Sequence, residues 1–317
     1  MTRRVLITGA SGLVGRALAE RLAASGYRLR AAERSARALG PHFDEQVVVG
    51  DISLRTDWRA ALENVDLVVH AAARTHIGSG SAEERACQET NADGTEGLVR
   101  AATQGGVQRL VYLSTVKVNG ECTATRPFTA TDEPHPQGPY AYSKWLGEVR
   151  ASAAAANSSL DLAIARLPLI YGPGVRANFL RLVQWLDHRR PLPFAAVHNA
   201  RSLVSVWNLS DFLLRLLEHP CGTGTWMVSD GRDVSTPELL TLIGAALGRK
   251  PRLFPVPLSL LRTGAALLGL SEQVLRLSGS LTVDVTPAKV LLGWQPPLSV
   301  EESLDRTISW YRSNRIA

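Results

Sequence analysis

Short apolar runs separated by helix-spaced stretches set the rhythm of the first two thirds of the chain. The runs at 4–8, 28–32, 46–49, 67–70, 109–114 and 161–166 lack strict apolar–polar alternation, so they predict strands buried on both faces. Helical spacing near 12–24, 58–62, 91–104 and 140–156 predicts a helix between successive strands. Alternating strands and helices are the pattern of a parallel α/β sheet, and a right-handed, doubly wound form is the economical topology.

The rhythm changes after Pro168, where Gly172-Pro173-Gly174 and the Pro191/Pro193 pair interrupt it. Helices are expected at 178–188, 208–218, 237–247 and 300–312, with one further strand at 225–229 returning to the sheet. The expected division is a sheet domain of 1–168 with 208–232, and a smaller discontinuous C-terminal substrate domain of 169–207 with 233–317. Segment 258–277 is leucine-rich but broken by Arg262, Glu272 and Arg276, too interrupted to span a bilayer. An amphipathic helix packed on the body is the reading preferred there over membrane-surface contact.

Composition narrows the class. In 317 residues, 45% hydrophobic and 20% charged content suit a soluble globular enzyme. The net charge of +6 is spread without a basic block, so no nucleic-acid partner and no membrane insertion are expected, while an anionic small substrate is suited. Cys87, Cys122 and Cys221 are widely spaced and odd in number. They argue against a disulfide framework and against a metal site, and for a reducing, cytoplasmic setting. The N-terminal apolar run is too short for a secretion signal and flows into a glycine turn.

That turn is Val5-Leu-Ile-Thr-Gly-Ala-Ser-Gly-Leu-Val-Gly15. Gly9 permits the tight turn and Gly12 lets backbone N–H groups approach a pyrophosphate. Gly15 allows close helix–strand packing, and the helix dipole favours the anion. Ser11, Leu13 and Val14 complete the loop that would cradle a dinucleotide. Glu33, ending the second strand, is placed to accept from ribose hydroxyls and to disfavour a 2′-phosphate, whereas Arg34 is placed to pair with one. NAD is favoured slightly over NADP. Asp51 and Ile52 are expected beside the adenine, and the small Ala71, Ala72 and Ala73 after His70 let the cofactor lie against backbone.

Tyr140 and Lys144 stand one helical turn apart and share a face. A nearby ammonium is expected to lower the phenol below its ordinary value of about 10. Thr115 ends a strand and could bond the same substrate oxygen, so the trio could polarise a carbonyl or deprotonate an alcohol. Tyr142, the rival phenol, points about 200° away on the helix and has no lysine four residues on.

Thr8-Gly-Ala-Ser-Gly-Leu-Val-Gly15, His70-Ala-Ala-Ala73, Asn91-Ala-Asp-Gly-Thr95, Leu113-Ser-Thr115, Tyr140-Ala-Tyr-Ser-Lys144 and Arg166-Leu-Pro-Leu-Ile-Tyr-Gly-Pro-Gly174 together resemble the extended short-chain dehydrogenase/reductases. These are the NAD-dependent sugar-nucleotide epimerases and dehydratases, with a Rossmann sheet. The resemblance runs to Leu292-Gly-Trp-Gln-Pro296 and the last helix. It implies Thr115, Tyr140 and Lys144 as the catalytic triad, with Asn91 and Leu113 near the nicotinamide side. It also implies Arg166-Leu167-Pro168 as a cofactor wall, Arg201 on a substrate diphosphate, and Asn178 and Phe179 opening the substrate-binding helix. A UDP-sugar substrate follows from the resemblance, as does a homodimer paired through helices 91–104 and 140–156.

Within that family a 4,6-dehydratase carries an Asp-Glu pair directly after the threonine; here Val116-Lys117 follow, which excludes the acid and base it needs. Reduction and 4-epimerisation share one triad. Val118-Asn119-Gly120 stands where Val-Tyr-Gly is usual. With 199–206 and 277–284, this stretch resembles a bacterial surface-polysaccharide subgroup. Its members are UDP-glucose 4-epimerases or 4-keto reductases making UDP-N-acetylquinovosamine, and the reductase is slightly favoured. Lys117 is a candidate for a phosphate or sugar hydroxyl, and His76 a weaker substrate candidate. Trp207 and Trp226 read as core or interface aromatics; Glu83, Glu84 and Glu89 read as a solvated helix face. A non-catalytic NAD(P)-binding sensor is the rival class, against which the intact Tyr–Lys pair argues.

Overall fold

The computed structural model describes residues 2–75, 80–267 and 269–314; His76 therefore lies outside the described residues. Nine strands are described: β1 (Arg4–Thr8), β2 (Arg28–Glu33), β3 (Glu45–Val48), β4 (Leu67–His70), β5 (Arg109–Thr115), β6 (Asp161–Leu167), β7 (Leu169–Tyr171), β8 (Leu203–Ser205) and β9 (Gly224–Met227). Seven form one sheet in the order β3-β2-β1-β4-β5-β6-β9, every pair parallel. The order reverses between β1 and β4, which opens a crevice beyond their C-terminal ends.

Helices α1 (Leu13–Ala24), α2 (Arg59–Leu62), α3 (Ser81–Gln88), α4 (Gly94–Gln104) and α5 (Gly138–Ala155) belong to the sheet half. They are followed by α6 (Ala177–Asp187), α7 (Val206–Glu218), α8 (Thr236–Ala246), α9 (Leu258–Leu267), α10 (Ser271–Ser278), α11 (Thr286–Leu291) and α12 (Val300–Ser313). Helices α1 and α7 cover one sheet face, α2, α4 and α5 the other. Successive strand residues feed opposite cores: Val5 and Ile7 enter the first, Leu6 the second. Hence the central strands β1 and β4 carry unbroken apolar runs, 5–7 and 67–69, whereas the edge strand β3 alternates between half-buried and exposed residues.

The expected helix at 91–104 begins earlier than its apolar spacing suggested. Helix α3 runs through a wider, π-type turn at Glu89–Asp93 into α4. A third core gathers α6, α8, α12 and Leu203 of β8. Reciprocal Ser235/Glu238 and Ser299/Glu302 capping boxes start α8 and α12. Strands β7 and β8 pair apart from the main sheet, and at three residues each they are too short to show a period. Residues Ala288, Leu292 and Trp294, which fall in 233–317, pack into the first core against the main sheet. Segment 258–277 is a helical hairpin rather than one helix, and only an inner stripe including Leu261, Ala265 and Leu277 faces the body. No helix among the described residues is long and apolar enough to cross a membrane.

Candidate active site

At the β1–α1 turn the glycines divide their work. Gly9 has φ +67°, and a Cβ there would lie 2.8 Å from the Ala72 nitrogen; one on Gly15 would lie 2.4 Å from the Gly9 carbonyl oxygen. Both positions therefore exist by close backbone approach. Gly12 is more open, and as N-cap it offers no side chain to the first turn of α1. The first N–H groups of that helix are left for an anion, which suits a dinucleotide pyrophosphate.

Glu33 is buried at the end of β2, where it accepts from the Ser11 backbone N–H at 2.8 Å and the Ser11 hydroxyl at 3.1 Å. Arg34 instead turns outward and lies 3.7 Å from Asp51, both being exposed. The conflict read in the sequence is thus resolved spatially, with the acid inside and the arginine outside. Arg37, missed in the sequence, donates to the Ser11 hydroxyl at 3.0 Å and lies 3.7 Å from Glu33. Its only sequence signal was its place four residues after Glu33. Asp51 points to solvent rather than to an enclosed adenine site, while Ile52 packs against Gly94.

Beyond β4, a buried polar chain locks the crevice floor. The Thr8 hydroxyl accepts from the Ala72 N–H at 3.1 Å and lies 2.7 Å from His70 Nδ1. His70 Nε2 lies 3.0 Å from the Thr95 hydroxyl, which donates to the Asn91 carbonyl at 2.8 Å. These directions are consistent with a neutral imidazole protonated at Nε2. Burial, with the Lys144 charge adding to it, pushes His70 down to about 3. Asn91 itself faces protein: its amide accepts from Arg74 N–H at 2.8 Å and donates to Ser143 Oγ at 3.0 Å. It joins the post-β4 loop, which carries Ala71 to Ala73, to α5. The wider turn places its carbonyl where α5 passes, and Gly147 is required there because a Cβ would meet that carbonyl at 2.4 Å.

Helix α5 carries Tyr140, Lys144 and Glu148 at successive turns and packs on β5, which Thr115 ends. Lys144 is 1% exposed, with Nζ 4.0 Å from the Tyr112 ring centroid. Burial lowers it to about 7, against the opposing pull of Glu148 and Cys87. Tyr140 is raised to about 12 by burial and then by Cys87. The expected lowering of the phenol by the ammonium is therefore reversed, because loss of water disfavours the phenolate and Cys87 adds to that effect. Tyr142, as expected, is exposed and packs on Trp145.

Arg166 does not wall the cofactor with its side chain. It grips Glu148 through Nε and Nη2, the latter at 2.6 Å, and donates from Nη1 to Asn119 Oδ1 at 3.1 Å. The Ser114 hydroxyl donates to the same carboxylate at 2.5 Å. Asn119 also donates to the Thr129 carbonyl, so this replacement for tyrosine is a structural anchor. Leu113 and Leu167 are buried strand residues of the first core.

On the substrate side, Lys117 is held by Glu121 through two contacts of 2.7 and 2.8 Å. Arg201 is pinned by its own backbone bonds to Val234 and by Nη1 donating to the Gly279 carbonyl at 3.1 Å. Burial lowers its pKa, opposed by Cys122 and Glu121. Glu121, paired with Lys117, also acts on Arg201 through its charge. Asn178 is half-buried in the first turn of α6. Phe179 differs from expectation: its ring is buried and stacks on Tyr171 at 5.5 Å, in the third core.

A family model described as the NAD dependent epimerase/dehydratase family matches residues 5–226. The chain belongs to that family. It is 38% identical over 315 residues to the UDP-glucose 4-epimerase of Vibrio cholerae, covering 97% of this chain and 95% of that one. It is 30% identical over 273 residues to a 4-hydroxy-2-methyl-3-oxo-4-farnesyl-3,4-dihydroquinoline-1-oxide ketoreductase of Stigmatella aurantiaca, covering 83% and 79%. Among solved structures, MoeE5 in complex with UDP-glucose and NAD superposes with a TM-score of 0.78 at 25% identity, covering 98% of this chain and 99% of that one.

Membership of this NAD-dependent epimerase/dehydratase family accords with the parallel sheet, its glycine turn and the buried Glu33. Val116 and Val118 are buried apolar side chains, and Lys117 between them is cationic.

Proposed function

We propose that this protein moves hydride to or from C4 of a UDP-sugar, with Thr115, Tyr140 and Lys144 as its catalytic residues. The observation that carries this reading is the α5 face: Tyr140 and the buried Lys144 stand one turn apart on a helix that packs on β5, the strand that Thr115 ends. Bound nicotinamide would supply or accept the hydride, held by the α1 N-terminus, Glu33 and the Ala71–Ala73 backbone. Tyr140, protonated at neutral pH, is poised to give its proton to a 4-keto oxygen. Thr115 is positioned to bond the same oxygen. Lys144, lowered to about 7, stands one helical turn away and supplies positive charge when protonated, and Asn91, through Ser143, steadies that turn. Arg201 and Asn178 are assigned to the nucleotide diphosphate and its neighbouring groups.

The finer reading we adopt is reduction of a UDP-4-keto-6-deoxy-N-acetylhexosamine to UDP-N-acetylquinovosamine, supported by the resemblance of the 113–121, 199–206 and 277–284 segments to that subgroup. A second reading, 4-epimerisation of a UDP-hexose, is favoured by the 38% identity to the Vibrio cholerae UDP-glucose 4-epimerase. Incubation with UDP-2-acetamido-2,6-dideoxy-4-hexulose and NADH separates them. Stoichiometric loss of absorbance identifies the reductase, and conversion of a UDP-hexose without added cofactor identifies the epimerase. In either case Tyr140→Phe is expected to lower turnover by about 10²–10⁴-fold. Full turnover by that variant would refute the mechanism. We further assign a homodimer, because Tyr142 and Val149 form an exposed apolar stripe on α5, and a cytoplasmic setting, which the odd number of widely spaced cysteines supports.

A further inference from the structure

The sequence led us to expect the 258–277 segment packed on the body, yet only its inner stripe is covered. On the outer side Leu267 is 84% exposed and Leu260 is 63% exposed, one heptad apart on α9. Leu270 in the turn and Leu275 on α10 are exposed as well. The patch continues past the hairpin. Phe254 is exposed, and its backbone N–H donates to the Leu192 carbonyl at 3.1 Å, which sets it beside the chain leaving α6. There Trp185 is also exposed, and its carbonyl accepts from the Arg190 N–H at 3.0 Å.

Basic residues are interleaved with these apolar ones. Arg190, Lys250, Arg252, Arg262 and Arg276 are all exposed. Residues 249–278 contain five basic residues and a single acid, Glu272. A monomeric surface normally scatters its exposed leucines, whereas here leucines and arginines share the 249–278 stretch, and the end of α6 adds a tryptophan and Arg190. Interleaving of this kind matches an anionic bilayer surface. Leucines and a tryptophan would enter the acyl boundary, while arginine stems lie along it and their heads reach phosphate.

We propose that the outer face of the α9–α10 hairpin, continued by the end of α6, is a docking surface for an anionic lipid bilayer. It goes beyond the C4 chemistry and does not depend on it. The surface is mechanically tied to the substrate side: Asn199 donates to the Leu277 and Gly279 carbonyls, and Arg201 donates to Gly279. Docking therefore engages the segment that ends against the diphosphate arginine. No part of the hairpin spans the membrane; its helices lie in the interface.

The test uses the full chain with vesicles of phosphatidylcholine alone and of phosphatidylcholine mixed with phosphatidylglycerol. Co-sedimentation with the anionic vesicles, a blue shift of tryptophan emission and weakening by salt are the expected results. Leu260→Glu/Leu267→Glu is expected to weaken vesicle binding at least about tenfold, and Arg252→Glu/Arg262→Glu by about tenfold. Thermal melting and NAD binding of both should match the parent, since all four side chains are exposed. Absence of binding to anionic vesicles at low salt would overturn the proposal, as would equal binding by the leucine variant. Light scattering provides the remaining arm. A larger wild-type species that Leu260→Glu/Leu267→Glu dissociates, without lipid binding, would assign the face to a second copy of the chain and likewise overturn it.

Discussion

Glu148→Gln preserves shape while removing one charge from a buried pair. Glu148 and Arg166 are each 5% exposed, and three contacts between 2.6 and 3.2 Å join them. Deleting either charge leaves the other stranded away from water, at a cost of about 3–5 kcal/mol. At about 2–4 °C per kcal/mol, Glu148→Gln should melt roughly 6–20 °C below the parent. Arg166→Met should lose a similar amount. The double variant removes both charges and should lose less than the sum, with a coupling of about 2 kcal/mol or more. Urea unfolding followed by tryptophan fluorescence, with thermal melts, measures all four proteins. Singles within about 0.5 kcal/mol of the parent, or strictly additive losses, would refute the reasoning. A second readout follows from Lys144, whose ammonium Glu148 supports. Losing that carboxylate must drive Lys144 further below about 7. The pH limb of turnover that requires its protonation should then move to lower pH in Glu148→Gln, and no lower in Arg166→Met.

Gly147→Ala places a Cβ 2.4 Å from both the Asn91 carbonyl and the Tyr112 hydroxyl, so α5 must shift. A loss of about 1–3 kcal/mol in urea unfolding is expected, with a fall in turnover because Tyr140 and Lys144 ride on that helix. His70, held near 3 in the fold against 6.5 ordinarily, stays neutral there while the unfolded chain takes up a proton. Stability should therefore fall as pH drops below 6.5, by up to about 1.4 kcal/mol per pH unit until near 3, and His70→Gln should flatten this contribution. Glu33→Ala removes the carboxylate that occupies Ser11 and leaves Arg34 and Arg37 at the same strand end. Calorimetric titration should show the NADP/NAD affinity ratio rising about tenfold or more, and an unchanged ratio would deny Glu33 its discriminating role.

What could be read along the chain was whatever depends on neighbours in sequence. The strand–turn–helix opening at Gly9 follows from spacing, and so does the shared face of Tyr140 and Lys144. Strands feeding two cores announced themselves as continuous apolar runs. Spacing also located the absence of acids after Thr115. Tertiary structure decided what depends on segments distant in sequence, because burial and charge are sums over all that packs around a group. It buried Glu33 against Ser11 and sent Arg34 to Asp51. It joined Glu148 to Arg166, and Asn119 to both Arg166 and Thr129. Phe179, beside Asn178 in the chain, turned into the third core because successive helix residues face about 100° apart. The phenol of Tyr140 rose rather than fell, since desolvation is a property of the enclosing fold and not of a Tyr–Lys spacing.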